Sequence, residues 1–334
     1  MPLSKFDKQT GRDKFFEKME KELKAITDPS TGEIYADITK KVPCPLCNKD
    51  DYKLLFKKQG FYFVRCNDCG VIYVNPQIIE EKIINFYKKD SNANKFWIEV
   101  LLSPTEIKLN NKKHRMILNS LSKYVEKGRL LDVGCSFGHF LKDARERGYD
   151  VRGIELENEA VKYAREKFGL KIQQKTLSQC NFEKEKFDVV TALAVLEHVA
   201  NPLKLLREIR QILKPEGILY LEMPNVESLA CAILHEKART FTGRNHLTYF
   251  SLTTLTAILE KAGFKVLSDG TFISCLDSIL NGLQFLDPFA KVELKFLPNK
   301  IREIIKNEEQ REKLEQLIFK LGLGYRMRVF AQKI

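Results

Sequence analysis

Two cysteine pairs carry the most specific chemistry in this sequence. Cys44-Pro45-Leu46-Cys47 and Cys66-Asn67-Asp68-Cys69 are C-x-x-C turns separated by eighteen residues. That separation lies inside the window of four-thiolate zinc sites. Each tight knuckle aims two thiolates at one metal, and two knuckles close a tetrahedral shell with no open position. The expected cofactor is therefore a structural Zn2+ held by Cys44, Cys47, Cys66 and Cys69. An iron–sulfur centre is the lesser alternative. A redox pair would need the helix N-terminus of a thioredoxin-like unit, which the flanking residues lack. Between the pairs, YKLLFKKQGFYFVR reads as a hairpin with Gln59-Gly60 at its turn. Residues 43–76 are too few for a core of their own, so the metal would contribute much of their folding energy. The other cysteines (Cys135, Cys180, Cys231, Cys275) are scattered and read as small buried hydrophobes.

A second constellation is Leu130-Leu131-Asp132-Val133-Gly134-Cys135-Ser136-Phe137-Gly138. An apolar strand runs into a glycine-punctuated turn and then a helix. Glycines let the backbone approach a ligand, and the helix start offers unpaired N–H groups. Glu155 ends the next strand, twenty-one residues after Gly134, where a carboxylate can accept hydrogen bonds from ribose hydroxyls. On this geometry alone a dinucleotide fits nearly as well. A dinucleotide loop, however, reads G-x-G-x-x-G, and here Gly134 and Gly138 are separated by three residues with Ser136 between them.

The elements that must position these groups follow from periodicity. Phe15, Phe16, Met19 and Leu23 fall at helical spacing and predict an amphipathic docking helix in the charged segment 1–42. Asp28-Pro29-Ser30-Thr31-Gly32 reads as a turn. A helical stretch over 79–127 is broken near Ser103-Pro104. From Arg129 strands and helices alternate: RLLDVG, helix 138–147, DVRGIEL, helix 157–168, a short strand near 170–174, and FDVVTALAV. PLKLLREIRQILK follows as a helix with Pro202 at its first turn, then GILYLEMPN, helix 251–262 and the strand FKVLSDGTF. That alternation predicts an α/β fold, a parallel sheet with helices on both faces. Residues 277–321 read mostly as helix, and GYRMRVFAQK as a last strand. The expected divisions are a helical extension (1–42), a zinc ribbon (43–76), a helical linker or lid (77–128), the main domain (129–276), a helical insertion (277–324) and the last strand (325–334).

Ordered segments separate the cofactor readings. LDVGCSFGHFL, GIELENEA, FDVVTALAVLEHVANPLKLLREIRQILKPEGILYLEMPN and HLTYFSLTTLTAILEKAGF together resemble class I S-adenosylmethionine-dependent methyltransferases over residues 129–270. The last strand completes a Rossmann-like sheet of seven strands. The cysteine-bearing module followed by VNP and FYKKD is similar to zinc-ribbon methyltransferases acting on sugars and other small metabolites, at carbon or oxygen. The resemblance implies that Asp132, Gly134, Cys135 and Gly138 line the methionine and ribose end of S-adenosylmethionine. It implies that Glu155 holds the ribose diol, that Leu156 packs on adenine, and that the adenine edge is met near Thr176-Leu177. QQKTLSQ lacks the acidic residue common in the family there, so backbone contacts are expected. Ala194 and Val195 would face the methyl donor, and Ser136 replaces a glycine frequent in the family loop.

Methyl transfer from a sulfonium is an in-line displacement, and a hydroxyl or carbon acceptor must also lose a proton. Histidine suits that task near neutral pH. His246, in Arg244-Asn245-His246-Leu247-Thr248-Tyr249-Phe250, is expected on the rim where substrate enters, as base or substrate contact, against a histidine that only caps the next helix. His198, in Leu196-Glu197-His198-Val199, resembles a family signature that fixes the loop beside the cofactor, and it is a further candidate for the catalytic base. Tyr249 and Arg244 are further candidates, the latter for a phosphate or carboxylate. His114, His139 and His235 read as structural or surface residues.

Among 334 residues, 44% are hydrophobic and 30% charged, which is the balance of a globular chain and not a disordered one. No apolar run reaches the roughly 18 residues that span a bilayer, and the N-terminus lacks the apolar core of a secretory signal, so a cytoplasmic protein without membrane contact is expected. The net charge of +12 raises nucleic acid as a partner. The lysines, however, are spread among acidic residues, with no arginine-rich arm. The leading reading is methyl transfer to a small-molecule acceptor such as a nucleotide-linked sugar or polysaccharide precursor. An RNA methyltransferase, a non-catalytic scaffold and a nicotinamide oxidoreductase are the alternatives. The oligomeric state is not encoded legibly.

Overall fold

The computed structural model describes residues 12–88, 92–273, 276, 279, 303–304 and 307–334. The helix Arg12–Lys24 docks through its apolar stripe: Leu23 is buried, and the Phe15 ring meets Trp97 of the helix Asn92–Leu101 at 4.8 Å. Asp28 closes the next turn by accepting the Ser30 N–H (2.8 Å) on its side chain and the Gly32 N–H (2.8 Å) on its carbonyl.

Strand β1 (Thr39–Lys40) pairs with β5 (Gln77–Ile78), and between them lie β2 (Tyr52–Lys58), β3 (Phe61–Cys66) and β4 (Ile72–Val74). Gln59 and Gly60, at φ 53° and 80°, make the two-residue hairpin between β2 and β3. Two left-handed residues in succession match the twist of the strands they join. The helices Glu80–Lys88, Asn92–Leu101 and Pro104–Leu121 lead to the main sheet, the last opened by Ser103, whose Oγ accepts the Glu106 N–H at 3.3 Å.

The main domain contributes β6 (Arg129–Val133), β7 (Asp150–Ile154), β8 (Ile172–Gln173), β9 (Phe187–Leu193), β10 (Leu213–Pro224), β11 (Thr248–Tyr249), β12 (Phe264–Phe272) and β13 (Arg326–Lys333). Seven of these form one sheet in the order β12-β13-β10-β9-β6-β7-β8. The expected seven-stranded sheet is present, mostly parallel, with one reversed member: β13 runs antiparallel to both β10 and β12 and is slotted between them. Successive strand residues face opposite sides, as the pleat requires. Leu131, Val190 and Leu219 pack with Leu206, Ile209 and Leu255 on one face. Leu130, Val189 and Tyr220 pack with Leu141 and Ala164 on the other. Each such burial stabilises by about 1.5–3 kcal/mol.

The chain leaves β6 for β7 and β8 on one side, then returns to place β9 on the other. A crevice therefore opens at the C-terminal ends of β6 and β9, where open α/β sheets bind ligands. Strand β11 does not join the main sheet. It pairs with β4, Thr248 opposite Tyr73 and Tyr249 opposite Ile72, so a second sheet runs β11-β4-β3-β2 across the two parts of the chain. The cores merge as well, since Cys44, Leu46, Val64 and Tyr73 pack in one cluster with Phe250 and Leu255.

Near the C-terminus the helix Glu308–Lys320 is present. Most of the expected insertion over 277–324, with Cys275 before it, lies outside the described residues. Among the described residues no helix is long and apolar enough to cross a membrane.

Candidate active site

The loop after β6 is built by backbone strain that glycine relieves. Gly134 and Gly138 sit at φ 72° and 75°, and Ser136 between them at 48°. A Cβ on Gly134 would stand 2.6 Å from Val195 Cγ2, and one on Gly138 would stand 2.6 Å from Leu170 Cδ1. Both positions thus need glycine for conformation and for space. Ser136 bears a left-handed conformation that costs a non-glycine residue about 1–2 kcal/mol. Its N–H donates to Glu155 Oε2 at 2.8 Å, while Glu155 Oε1 accepts the Leu156 and Glu157 N–H groups at 2.6 and 3.0 Å. The carboxylate is fixed at the mouth of the crevice, with lone pairs left over for hydroxyl donors.

The remaining loop candidates divide. Asp132 is buried and accepts the Thr191 hydroxyl at 2.6 Å; burial first of all pushes its carboxyl up to about 7. Cys135 turns its side chain into the core, its Sγ close against Gly153. Leu177 is likewise buried in the core, whereas Leu156 is half-exposed. Ala194, at φ 57°, donates its N–H to the Glu222 carbonyl at 2.7 Å. Gly134→Ala is expected to weaken cofactor affinity about tenfold, since strain plus displacement of Val195 amount to about 1.4 kcal/mol or more. Calorimetric titration of the variant checks this.

Past Val195 the chain turns through Leu196–His198 and meets the segment before β11. The rings of His198 and His246 lie 4.8 Å apart at 73°. His198 Nδ1 is 2.8 Å from the Asn245 carbonyl, and His246 Nδ1 is 2.9 Å from the Thr240 carbonyl. A carbonyl can only accept, so each Nδ1 carries the proton and each Nε2 the lone pair of the neutral ring. Burial above all lowers both imidazoles to about 4, so both are neutral near pH 7. Glu197, buried to 3% exposure, completes the group; burial raises its carboxyl.

The His246 ring is half-buried and sits between His198 and the 240–245 loop. It does not cap the next helix; Ser251 does, accepting the Thr254 N–H. Tyr249 needs correction. Its hydroxyl donates to the His246 carbonyl (2.8 Å) and accepts the Gly243 N–H (3.2 Å), while its ring packs on Phe63 and Phe241. It holds the loop in place and does not offer a hydroxyl to substrate. Arg244 is buried and pairs with Glu22 of the first helix at 2.8 Å.

Three charges escaped the sequence reading. Glu222, fully buried on β10, is paired with Arg326 Nε on β13 at 2.9 Å and Lys113 Nζ at 3.3 Å. Despite burial, which alone would raise it, those cations hold its carboxyl below the usual range. A charged residue at the end of an otherwise apolar strand, GILYLEMPN, is the signal that points to it. The histidines set aside as structural or surface lie apart from this group: His114 binds Asp143 at 2.9 Å, His139 contacts Tyr163 and Phe168, and His235 is exposed.

In the N-terminal unit, Cys44 Sγ lies 3.4 Å from Cys69 Sγ and Cys47 Sγ 3.5 Å from Cys66 Sγ, all four within 4.8 Å of one another. Zn–S bonds of about 2.3 Å put tetrahedral sulfurs about 3.8 Å apart, so the donor set fits a Zn2+ ion. The turns are closed by Asn48 N–H to the Cys44 carbonyl (2.9 Å) and Gly70 N–H to the Cys66 carbonyl (3.1 Å). A cavity of about 680 Å³ lies between this unit and the main domain, lined by Phe56, Arg65, Val226, Phe241 and Thr253. It contains no residue of the glycine loop.

Residues 108–269 match the family described as "Methyltransferase domain". A ubiquinone biosynthesis O-methyltransferase of Actinobacillus pleuropneumoniae serotype 7 (strain AP76) is 36% identical over 107 residues, covering 29% of this chain and 46% of the relative. The enzyme of that description from Histophilus somni (strain 2336) is 33% identical over 136 residues, covering 38% and 57%. This chain thus spans about half the length of the curated relatives it matches. A solved S-adenosylmethionine-dependent methyltransferase from Archaeoglobus fulgidus shares 22% identity with a TM-score of 0.45, covering 66% of this chain and 94% of that one.

Proposed function

Residues 108–269 carry a class I S-adenosylmethionine-dependent methyltransferase domain, and from that premise we propose that the chain methylates a small-molecule acceptor. The observation that carries the reading is the strained Gly134–Gly138 turn with Glu155 fixed beside it at the switch point of the sheet. Gly134, Gly138 and the backbone of Cys135 would hold the methionine end, Glu155 the ribose hydroxyls and Leu156 the adenine. When bound, S-adenosylmethionine supplies an electrophilic methyl group on a sulfonium. The chain's own part is to orient the acceptor and to see its proton removed, and we assign that side to His198 and His246. Arg326, which pairs with Glu222, lies close enough for its charge to help keep both imidazoles neutral.

The ubiquinone O-methyltransferases among the relatives support oxygen as the methyl site. Within small molecules, the similarity to zinc-ribbon enzymes makes a nucleotide-linked sugar or polysaccharide precursor the first class to test. We further propose that the four cysteines hold a structural zinc.

Calorimetric titration with S-adenosylmethionine, S-adenosylhomocysteine and NAD tests the premise. Saturable binding of the first two, and none of NAD, is expected. Binding of NAD alone would sink the proposal.

A further inference from the structure

We propose that a cavity formed by Arg207, Arg210 and Lys261 binds the terminal phosphate of a small molecule, at the end of the sheet opposite the methyl-donor crevice. The cavity holds about 380 Å³. Arg207, Arg210 and Gln211 of the helix Pro202–Ile212 line one side, and Lys261, Ala262 and Gly263, where the helix Leu252–Lys261 ends, line the other. Three cationic side chains thus face one hollow, and no acidic side chain lines it. Like charges gathered in one concavity repel, and an anion that enters relieves the repulsion.

Two of the cations are held in place by main-chain oxygens. Arg210 donates Nε–H to the Gly263 carbonyl at 3.2 Å and an Nη2 hydrogen to the main-chain oxygen of Ile334 at 2.6 Å. A Cβ on Gly263 would stand 2.5 Å from Arg210 Nε, so glycine is what lets the guanidinium lie against this turn. Lys261 Nζ donates to the Leu46 carbonyl at 2.7 Å, inside the first cysteine knuckle. These bonds leave Nη1 of Arg210 and two hydrogens of the Lys261 ammonium to donate into the hollow. Arg207 is exposed and makes no hydrogen bond or ion pair among the described residues. Its neighbour in the chain, Glu208, is drawn instead to Lys204 at 3.8 Å.

The donor types choose the ligand. Guanidinium forks meet two phosphate oxygens at once, and an ammonium adds a point charge. A terminal phosphate carries close to two negative charges near pH 7, which suits cations clustered around one hollow. A phosphodiester backbone spreads its charge and calls for a track of cations. The position separates this ligand from the methyl transfer. Leu213, just past the cavity, pairs with Phe187 at the start of β9, whereas the crevice lies beyond Leu193 at its end. Seven residues of strand at roughly 3.3 Å each put about 20 Å between them. The phosphate compound is therefore a second ligand, distinct from the acceptor, and through Lys261 it touches the seating of the cysteine unit.

The test is calorimetric titration of the zinc-loaded full chain with inorganic phosphate at low ionic strength, with S-adenosylhomocysteine present to fill the crevice. A single phosphate is expected to bind saturably, more weakly as sodium chloride is added. Arg207→Ala is expected to weaken it about tenfold, and Arg207→Glu to abolish it. Arg207 has no partner to lose, so both variants should keep the wild-type melting temperature. Should either melt early, the wild-type chain still decides: phosphate is expected to shift the amide resonances of Lys261 and Gly263 and to leave those of Gly134 and Gly138 in place. No saturable binding up to millimolar concentration, unchanged affinity in a folded Arg207→Glu chain, or shifts confined to the glycine loop overturns the site. Tighter, Arg207-dependent binding of an oligothymidylate without a terminal phosphate overturns the small-molecule assignment in favour of a nucleic-acid backbone. Phosphate binding without S-adenosylmethionine binding supports this site and sinks the methyl-transfer reading; the reverse result overturns this site and leaves methyl transfer standing.

Discussion

Cys66→Ser is expected to release the zinc and to unfold residues 43–74, with the disturbance reaching the 240–250 loop. Structural zinc contributes on the order of 10 kcal/mol to the folding of small zinc-dependent units, and one missing thiolate forfeits a large part of it. Cys66 is buried at the end of β3, so the serine hydroxyl would also stand among apolar neighbours. The loss would not stay local. Strand β11 pairs with β4, and Tyr249 of β11 packs on Phe63 of β3. Metal analysis of the wild-type and variant chains, with hydrogen exchange across 43–74 and 240–250, checks both parts. Wild-type protein without about one equivalent of zinc would refute the four-cysteine site. Fast exchange confined to 43–74 would refute the coupling.

His246→Ala is expected to cut methyl incorporation by about 10²–10⁴-fold, the usual worth of a positioned proton acceptor. Under the proposed function its Nε2 takes up the acceptor's proton, so a large loss is expected. The cofactor side should be spared, because Glu155 is held by the Ser136, Leu156 and Glu157 N–H groups, whereas the His246 ring is held by the Thr240 carbonyl. S-adenosylhomocysteine affinity is therefore expected to stay within about twofold of wild type, well under the 1.4 kcal/mol of a tenfold change. Radiolabelled methyl transfer to whichever acceptor a screen identifies measures the first quantity, and calorimetry the second. Unchanged turnover would remove His246 from the mechanism.

Local chemistry was legible in the sequence wherever the cause is local. Gln59-Gly60 announces its own turn because two left-handed residues need such types. Gly134 and Gly138 announce the loop for the same reason, and FKVLSDGTF has its bounds exactly as the strand β12 shows because the glycine before it ends the helix. What stayed hidden is long-range. A two-residue strand such as β11 has no period to read, so its pairing with β4 leaves no trace in the chain. Glu222 finds Lys113 and Arg326 more than a hundred residues away on either side. Tyr249 and Arg244 looked reactive by type, but contacts made through folding take up the Tyr249 hydroxyl and bring the Arg244 guanidinium to Glu22.

The shared sheet β11-β4-β3-β2 also decides how this protein can be cut and recombined. The cysteine unit resembles a portable cassette by its spacing, yet its edge is finished by residues 248–249 of the other part. Gly243 leaves no room for a Cβ, which would stand 2.5 Å from the Phe61 ring, and Lys58 reaches the Ala238 carbonyl at 2.9 Å. A chain begun after β5 would bare Phe241, Tyr249 and an open strand edge, the features that make proteins aggregate. Moving residues 43–76 into another chain would therefore require moving 240–250 with them, although 163 residues of sequence lie between the two segments.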